Sequence, residues 1–329
     1  MKICVYGAGA IGGVLAARLA LAGRTVSVIA RGAHLAAIRA EGLKLHSESG
    51  ERTVKVPASD RPADFGRQDL VICTAKAYSL TSVARGIAPL LAPETPVVFA
   101  TNGIPWWYFH KLGGRWDGTR IETVDPGGEI WQRIGPQRAI GCVVYMGASM
   151  PTPGTVKHHS GGRFLIGEPD NTLSARLKAV AAAMAADGLS VETTERIRDE
   201  ILGKLIGNVS FNPISALTRS PLGGILSRPG LRQLAKTMME ECQNVGVAIG
   251  ANLQIEIEAK LNGYERMAAF RTSTLQDLEA GRPLEIDALV GVVSELGHIT
   301  GTPTPTIDTV YALLRALAEN IGQFPRVSD

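Results

Sequence analysis

Short β-branched runs alternate with helical patterns over the first third of the chain, the order that βαβ units and a parallel sheet produce. Strands are expected at 2–6, 25–30, 69–75, 96–100 and 139–146. An Ala/Leu-rich helix over 12–22 closes at Gly23, a residue type that readily ends helices. Segments 43–47 and 53–57 read as one hairpin and 154–167 as another. A polar break at Gly167-Glu168-Pro169-Asp170-Asn171 then leads into an alanine-rich helix at 173–186. Beyond a short strand at 189–193, the helical period dominates at 196–211, 229–249, 264–280, 285–300 and 306–321. The expected fold is α/β, a doubly wound sheet domain over 1–169 followed by an all-α domain over 170–329.

The first expected strand runs into Gly7-Ala8-Gly9-Ala10-Ile11-Gly12, and the first helix follows at once. That context gives a GxGxxG match its physical meaning, and makes the sheet domain Rossmann-type. Gly7 suits a tight turn, Gly9 a close approach to a pyrophosphate, and Gly12 close packing of helix on strand, while the helix N-terminus attracts the negative charge. Gly7, Ala8, Gly9, Ala10, Ile11 and Gly12 are therefore the expected cofactor-binding turn. An acid about 20 residues further on would bind the ribose hydroxyl of NAD. The first carboxylate of the chain is Glu41, whereas the second strand ends in Arg31, whose guanidinium suits a 2′-phosphate. The expected cofactor is NADP(H). Lys76 and Asn102 follow later strand ends, where ligands of such sheets bind, although either would also serve as a polar strand terminus.

Composition narrows the class further. The 329 residues are 45% hydrophobic and 20% charged, which suits a globular two-domain enzyme rather than a disordered chain. A formal charge of +3 without a block of like charges gives no reason to expect nucleic-acid binding. No apolar stretch is long enough for a membrane span, so a cytoplasmic protein is expected. Cys4, Cys73, Cys142 and Cys242 lie far apart in apolar runs and read as reduced core residues. His158 and His159 are adjacent on an expected strand and point to opposite faces, so no metal site is expected there.

In the helical domain Lys204, Asn208 and Asn212 recur every four residues and share one helix face, with about 40° of drift per step. Leu202, Leu205, Ile206 and Val209 border that stripe with apolar surface. A lysine so placed suits carbonyl reduction, because its proton can pass to the oxygen as hydride reaches the carbon. A solvated helix face would have the same spacing.

The glycine turn with Arg31, Lys76, Thr101-Asn102-Gly103, Lys204-xxx-Asn208-xxx-Asn212-Pro213 and Ser273…Gly281-Arg282-Pro283-Leu284-Glu285-Ile286-Asp287 occur in one order along the chain. In this the sequence resembles the ketopantoate reductase (2-dehydropantoate 2-reductase) family over nearly its whole length. The resemblance implies that Lys204 is the general acid and that Glu285 helps hold the hydroxyl-bearing end of the substrate. It further implies substrate contacts from Asn208, Asn212, Ser273 and Asn102, a place for Lys76 and Asn102 beside cofactor and substrate, and recognition of the 2′-phosphate by Arg31. The implied reaction is reduction of a small 2-keto acid, 2-dehydropantoate, to pantoate by NADPH, on the way to pantothenate. Leu284 departs from the threonine more common before that glutamate and implies a drier pocket; Trp106-Trp107-Tyr108-Phe109 reads either as a pocket wall or as interior packing. A related dehydrogenase for another 2-keto or hydroxy acid, and a non-catalytic sensor of NADP(H), are the competing readings. A homodimer through the helical domain is compatible with the sequence.

Overall fold

The computed structural model describes residues 1–325. In chain order the strands are β1 (Lys2–Tyr6), β2 (Thr25–Ile29), β3 (Leu43–Ser47), β4 (Gly50–Val54), β5 (Ala58–Ser59), β6 (Leu70–Cys73), β7 (Val97–Phe99), β8 (Ala139–Thr152), β9 (Thr155–Gly167) and β10 (Ser190–Thr193). The helices are α1 (Ala10–Leu21), α2 (Gly32–Glu41), α3 (Leu80–Gly86), α4 (Glu129–Ile134), α5 (Ala175–Met184), α6 (Ile197–Thr218), α7 (Leu222–Leu226), α8 (Pro229–Ala248), α9 (Ile257–Glu265), α10 (Ser273–Glu279), α11 (Val292–Thr300) and α12 (Pro305–Asn320). None of the described helices is long and apolar enough to cross a membrane.

The chain forms two compact units, one from residues 1–101, 107–119 and 128–197, the other from 102–106, 120–127 and residue 198 onward. The first holds a single mixed sheet in the order β4-β3-β9-β8-β7-β6-β1-β2-β5, with β10 paired to β9. Strands β1, β2, β6, β7 and β8 run parallel, as βαβ connections require. β1 and β6 are almost wholly apolar because a parallel sheet covered on its faces leaves no polar side to present. On one face Val14, Leu15, Ala17 and Leu19 of α1 pack against Ile3, Val5, Val28 and Ile72. Among the described residues beyond α6, the regular elements of the second unit are all helices.

Four local expectations are corrected by packing. The boundary expected at 169/170 falls instead at 197/198, because Leu177, Val180 and Met184 of α5 join the core of the sheet and β10 pairs with β9. Residues 155–167 form one long strand opposite β8, with the reversal at Pro153-Gly154. Gly161 and Gly162 absorb a bulge at φ 73° and 131°. Helix α6 continues through Pro213 to Thr218, since burial of Ile214 and Ala216 offsets the lost helical bond and the ring clash that an interior proline brings. The helix expected over 264–280 is interrupted between α9 and α10: the carbonyls of Ala268 and Phe270 accept from the Gly223 and Leu222 N–H groups at the start of α7, at 2.8 and 3.0 Å.

Candidate functional site

The glycine turn is fixed by close backbone approaches. Gly7 lies at φ 102°, and a Cβ there would come within 2.9 Å of the Ala75 nitrogen. A Cβ on Gly12 would meet the Gly7 carbonyl oxygen and Thr74 Oγ1, each at 2.2 Å. The Thr74 hydroxyl itself donates to the Gly7 carbonyl at 2.6 Å, so strand β6 ties down the turn that β1 enters. Gly9, by contrast, has nothing within 4 Å of a built Cβ. It opens α1, which has no side-chain cap and no acidic residue in its first turn. An open glycine beside uncapped helix N–H groups fits the pyrophosphate of a dinucleotide.

His34 on α2 braces the same turn, a role that no sequence pattern announced. The Gly154 N–H donates to its Nδ1 at 2.8 Å, which makes Nε2 the protonated nitrogen; Nε2 in turn lies 2.6 Å from the Ala8 carbonyl oxygen. Burial holds this imidazole below the usual histidine range, the neutral form that a ring accepting at Nδ1 requires. Arg31 stands exposed at the N-cap of α2, immediately after β2, and Lys76 is half-buried shortly after β6.

In the helical unit the expected residues converge in pairs. Lys204 Nζ donates to Asn102 Oδ1 at 3.0 Å, although the two residues are 102 positions apart. Gly103 makes that placement possible, because a Cβ there would lie 2.0 Å from the Ala288 carbonyl oxygen. The Asn102-Gly103 turn therefore rests directly on the π-helical turn Asp287–Gly291, just after Glu285. Such turns widen a helix by one residue and recur at functional sites. Asn212 is buried and its Nδ2 reaches Ser273 Oγ at 3.5 Å, a long contact. Asn208 is half-buried one turn from Lys204, and Glu285 is 6% exposed.

Neighbouring groups settle several side questions. Leu284 is fully buried with Leu275, Leu278, Ile286 and Leu314, so it belongs to the helical core and does not dry a pocket. Asp287, at the end of the same motif, accepts from the Tyr311 hydroxyl at 2.7 Å; burial, then Asp287, pushes that phenol up to about 12. Glu295 on α11 accepts from the Glu122 and Thr123 N–H groups at 2.7 and 2.8 Å and so fastens segment 120–127 within the helical unit. Trp106, Trp107, Tyr108 and Phe109 are all buried, which is the interior-packing alternative. His158 meets Arg18 and His159 meets Ser149. All four cysteines are buried and none is in a disulfide; burial pushes the thiols of Cys4, Cys73 and Cys242 up to about 12.

Two family models match the chain: ketopantoate reductase PanE/ApbA over residues 3–111 and its C-terminal region over 196–318. A 2-dehydropantoate 2-reductase of Mesorhizobium japonicum is 51% identical over 98% of this chain and 99% of its own length. A Ralstonia solanacearum MolK2 crystal structure, provisionally named a ketopantoate reductase, is 43% identical and superposes with a TM-score of 0.93 over 98% of this chain and 99% of that one. A PanE/ApbA family ketopantoate reductase from Ralstonia eutropha JMP134 is 31% identical, with a TM-score of 0.84 over 98% and 100%. By these matches over nearly its whole length, this chain belongs to the ketopantoate reductase family of nicotinamide-dependent oxidoreductases.

Proposed function

We propose that the chain reduces 2-dehydropantoate to pantoate with NADPH, and that Lys204 is the general acid. The observation that carries the reading is the Lys204–Asn102 hydrogen bond, which aims an ammonium from α6 by means of an amide that the Gly103 approach holds in place. The 51% identity to a full-length 2-dehydropantoate 2-reductase supports the choice of acid.

When bound, the nicotinamide supplies hydride to the keto carbon. Negative charge then develops on the keto oxygen, and Lys204 Nζ stabilises it and delivers a proton there, giving the 2-hydroxy acid. Asn102 Oδ1 accepts from that ammonium and so helps to orient it. Asn208, Asn212 and Ser273 contribute polar groups along the same side of α6, and Glu285 accepts from the hydroxyl at the far end of the substrate. The turn from Gly7 to Gly12 receives the pyrophosphate, with Lys76 beyond β6 as a further polar group on the cofactor. Arg31 pairs with the 2′-phosphate as a fixed fork of donors, and no carboxylate precedes Glu41 to repel it.

The test is NADPH oxidation by the purified protein with 2-dehydropantoate and a panel of other 2-keto acids. Turnover of 2-dehydropantoate with the highest kcat/KM is expected. Preference for another acid would overturn the substrate, and cofactor binding without turnover of any acid would overturn the enzyme reading itself.

A further inference from the structure

Helix α9 lies along α6 in a register that the assigned residues leave unexplained. Lys260 and Tyr264, one helical turn apart on α9, meet Gly203 and Gly207, one turn apart on α6. Lys260 Nζ donates to the Gly203 carbonyl at 2.9 Å. A Cβ on Gly207 would lie 2.1 Å from the Tyr264 hydroxyl oxygen, so the phenol occupies the space that a side chain at 207 would otherwise fill. Its ring also packs edge-on against Phe211, with centroids 4.8 Å apart.

On the α6 wheel Gly207 and Phe211 fall about 60° and 20° to one side of Lys204, while Asn208 and Asn212 fall on the other. Tyr264 therefore borders the lysine stripe on the flank that the two asparagines leave open. The residue is half-buried. Lys260 has no carboxylate within ion-pair distance among the described residues, and burial keeps its ammonium below the usual lysine range. A half-buried cation without a counter-charge, one turn from a phenol, complements an anion.

Resting on the reductase reading, we propose that Tyr264 is a specificity-determining residue that donates from its hydroxyl to the substrate carboxylate, with Lys260 supplying the positive field behind it. A 2-keto acid carries that carboxylate on the carbon next to the reacting carbonyl, so a group flanking Lys204 is at the appropriate reach.

The experiment compares 2-dehydropantoate with its methyl ester, which keeps the keto group and loses the charge. In Tyr264→Phe the KM for the acid should rise about tenfold, kcat should change less than about twofold, and the KM for the ester should stay at the wild-type value. Gly207→Ala, whose methyl displaces the phenol without removing it, should raise the acid's KM in the same direction; in a Tyr264→Ala background it should add nothing. An unchanged acid KM in Tyr264→Phe, or an equal rise for acid and ester, overturns the proposal. Loss of turnover by the wild-type protein would instead refute the reductase reading, so the two failures are distinct.

Discussion

The glycine turn after β1 and the polar face of α6 are organised by opposite means. At the turn, specificity comes from missing side chains: Gly12 has no room for a Cβ, and Gly9 has open space where a ligand's phosphates can approach the backbone. On α6, it comes from side chains that would be costly to bury alone and that are paired across long sequence separations, Lys204 with Asn102 and Asn212 with Ser273. The first region is rigid because the main chain is interlocked. The second is tuned by side chains, so substitutions there should change chemistry or selectivity before they change structure.

The sharpest way to break that contrast is Gly12→Ala. Its methyl would stand 2.2 Å from a backbone carbonyl that Thr74 also holds, so relief requires moving the turn. A loss of about 1–3 kcal/mol in stability and at least about hundredfold weaker NADPH binding are expected by chemical denaturation and calorimetric titration. Unaltered cofactor affinity would show that the turn is not the phosphate site.

Arg31→Ala removes an exposed side chain and should leave the fold alone. NADPH should bind about 10–100-fold more weakly, the worth of charge-assisted hydrogen bonds, while NADH binding is unaffected. An unchanged NADPH to NADH ratio in fluorescence titrations would remove the basis for an NADP preference.

The smallest effect concerns His34. Its native pKa is lowered by burial, so the unfolded chain binds the proton more readily. The stability it contributes is complete above the unfolded value of about 6.5 and declines as pH falls from there toward the lowered native value. Thermal melts between pH 7.5 and 5 should show a steeper acid-side decline in the wild type than in His34→Gln; equal slopes would mean that the ring is not held neutral.

Much of the fold was readable because its signals are local. The strands at 2–6 and 25–29 and the helices at 229–248 and 305–320 carry their own period, and the glycine turn carries its own geometry. What escaped was set by distant partners. Helix α2 was not predicted, and neither was the break between α9 and α10, where carbonyls of 268 and 270 serve α7 rather than a helix of their own. The polar face of α6 was visible as a four-residue spacing, yet spacing could not show that Asn102 would reach Lys204. Nor could it show that Gly103 and Gly207 leave room for Ala288 and Tyr264. Leu284, read as a pocket residue from its place in a motif, is core because its neighbours in space are Leu275 and Leu314.

The division of labour between the two regions is tested most directly by Lys204→Ala, with kcat for 2-dehydropantoate and the NADPH dissociation constant measured on the same preparation. The kcat should fall about 10²–10⁴-fold, the contribution of a positioned general acid, while NADPH binds within about twofold of wild type. Retention of kcat within about threefold, or a loss of NADPH affinity as large as the loss of rate, would contradict the assignment of the chemistry to Lys204.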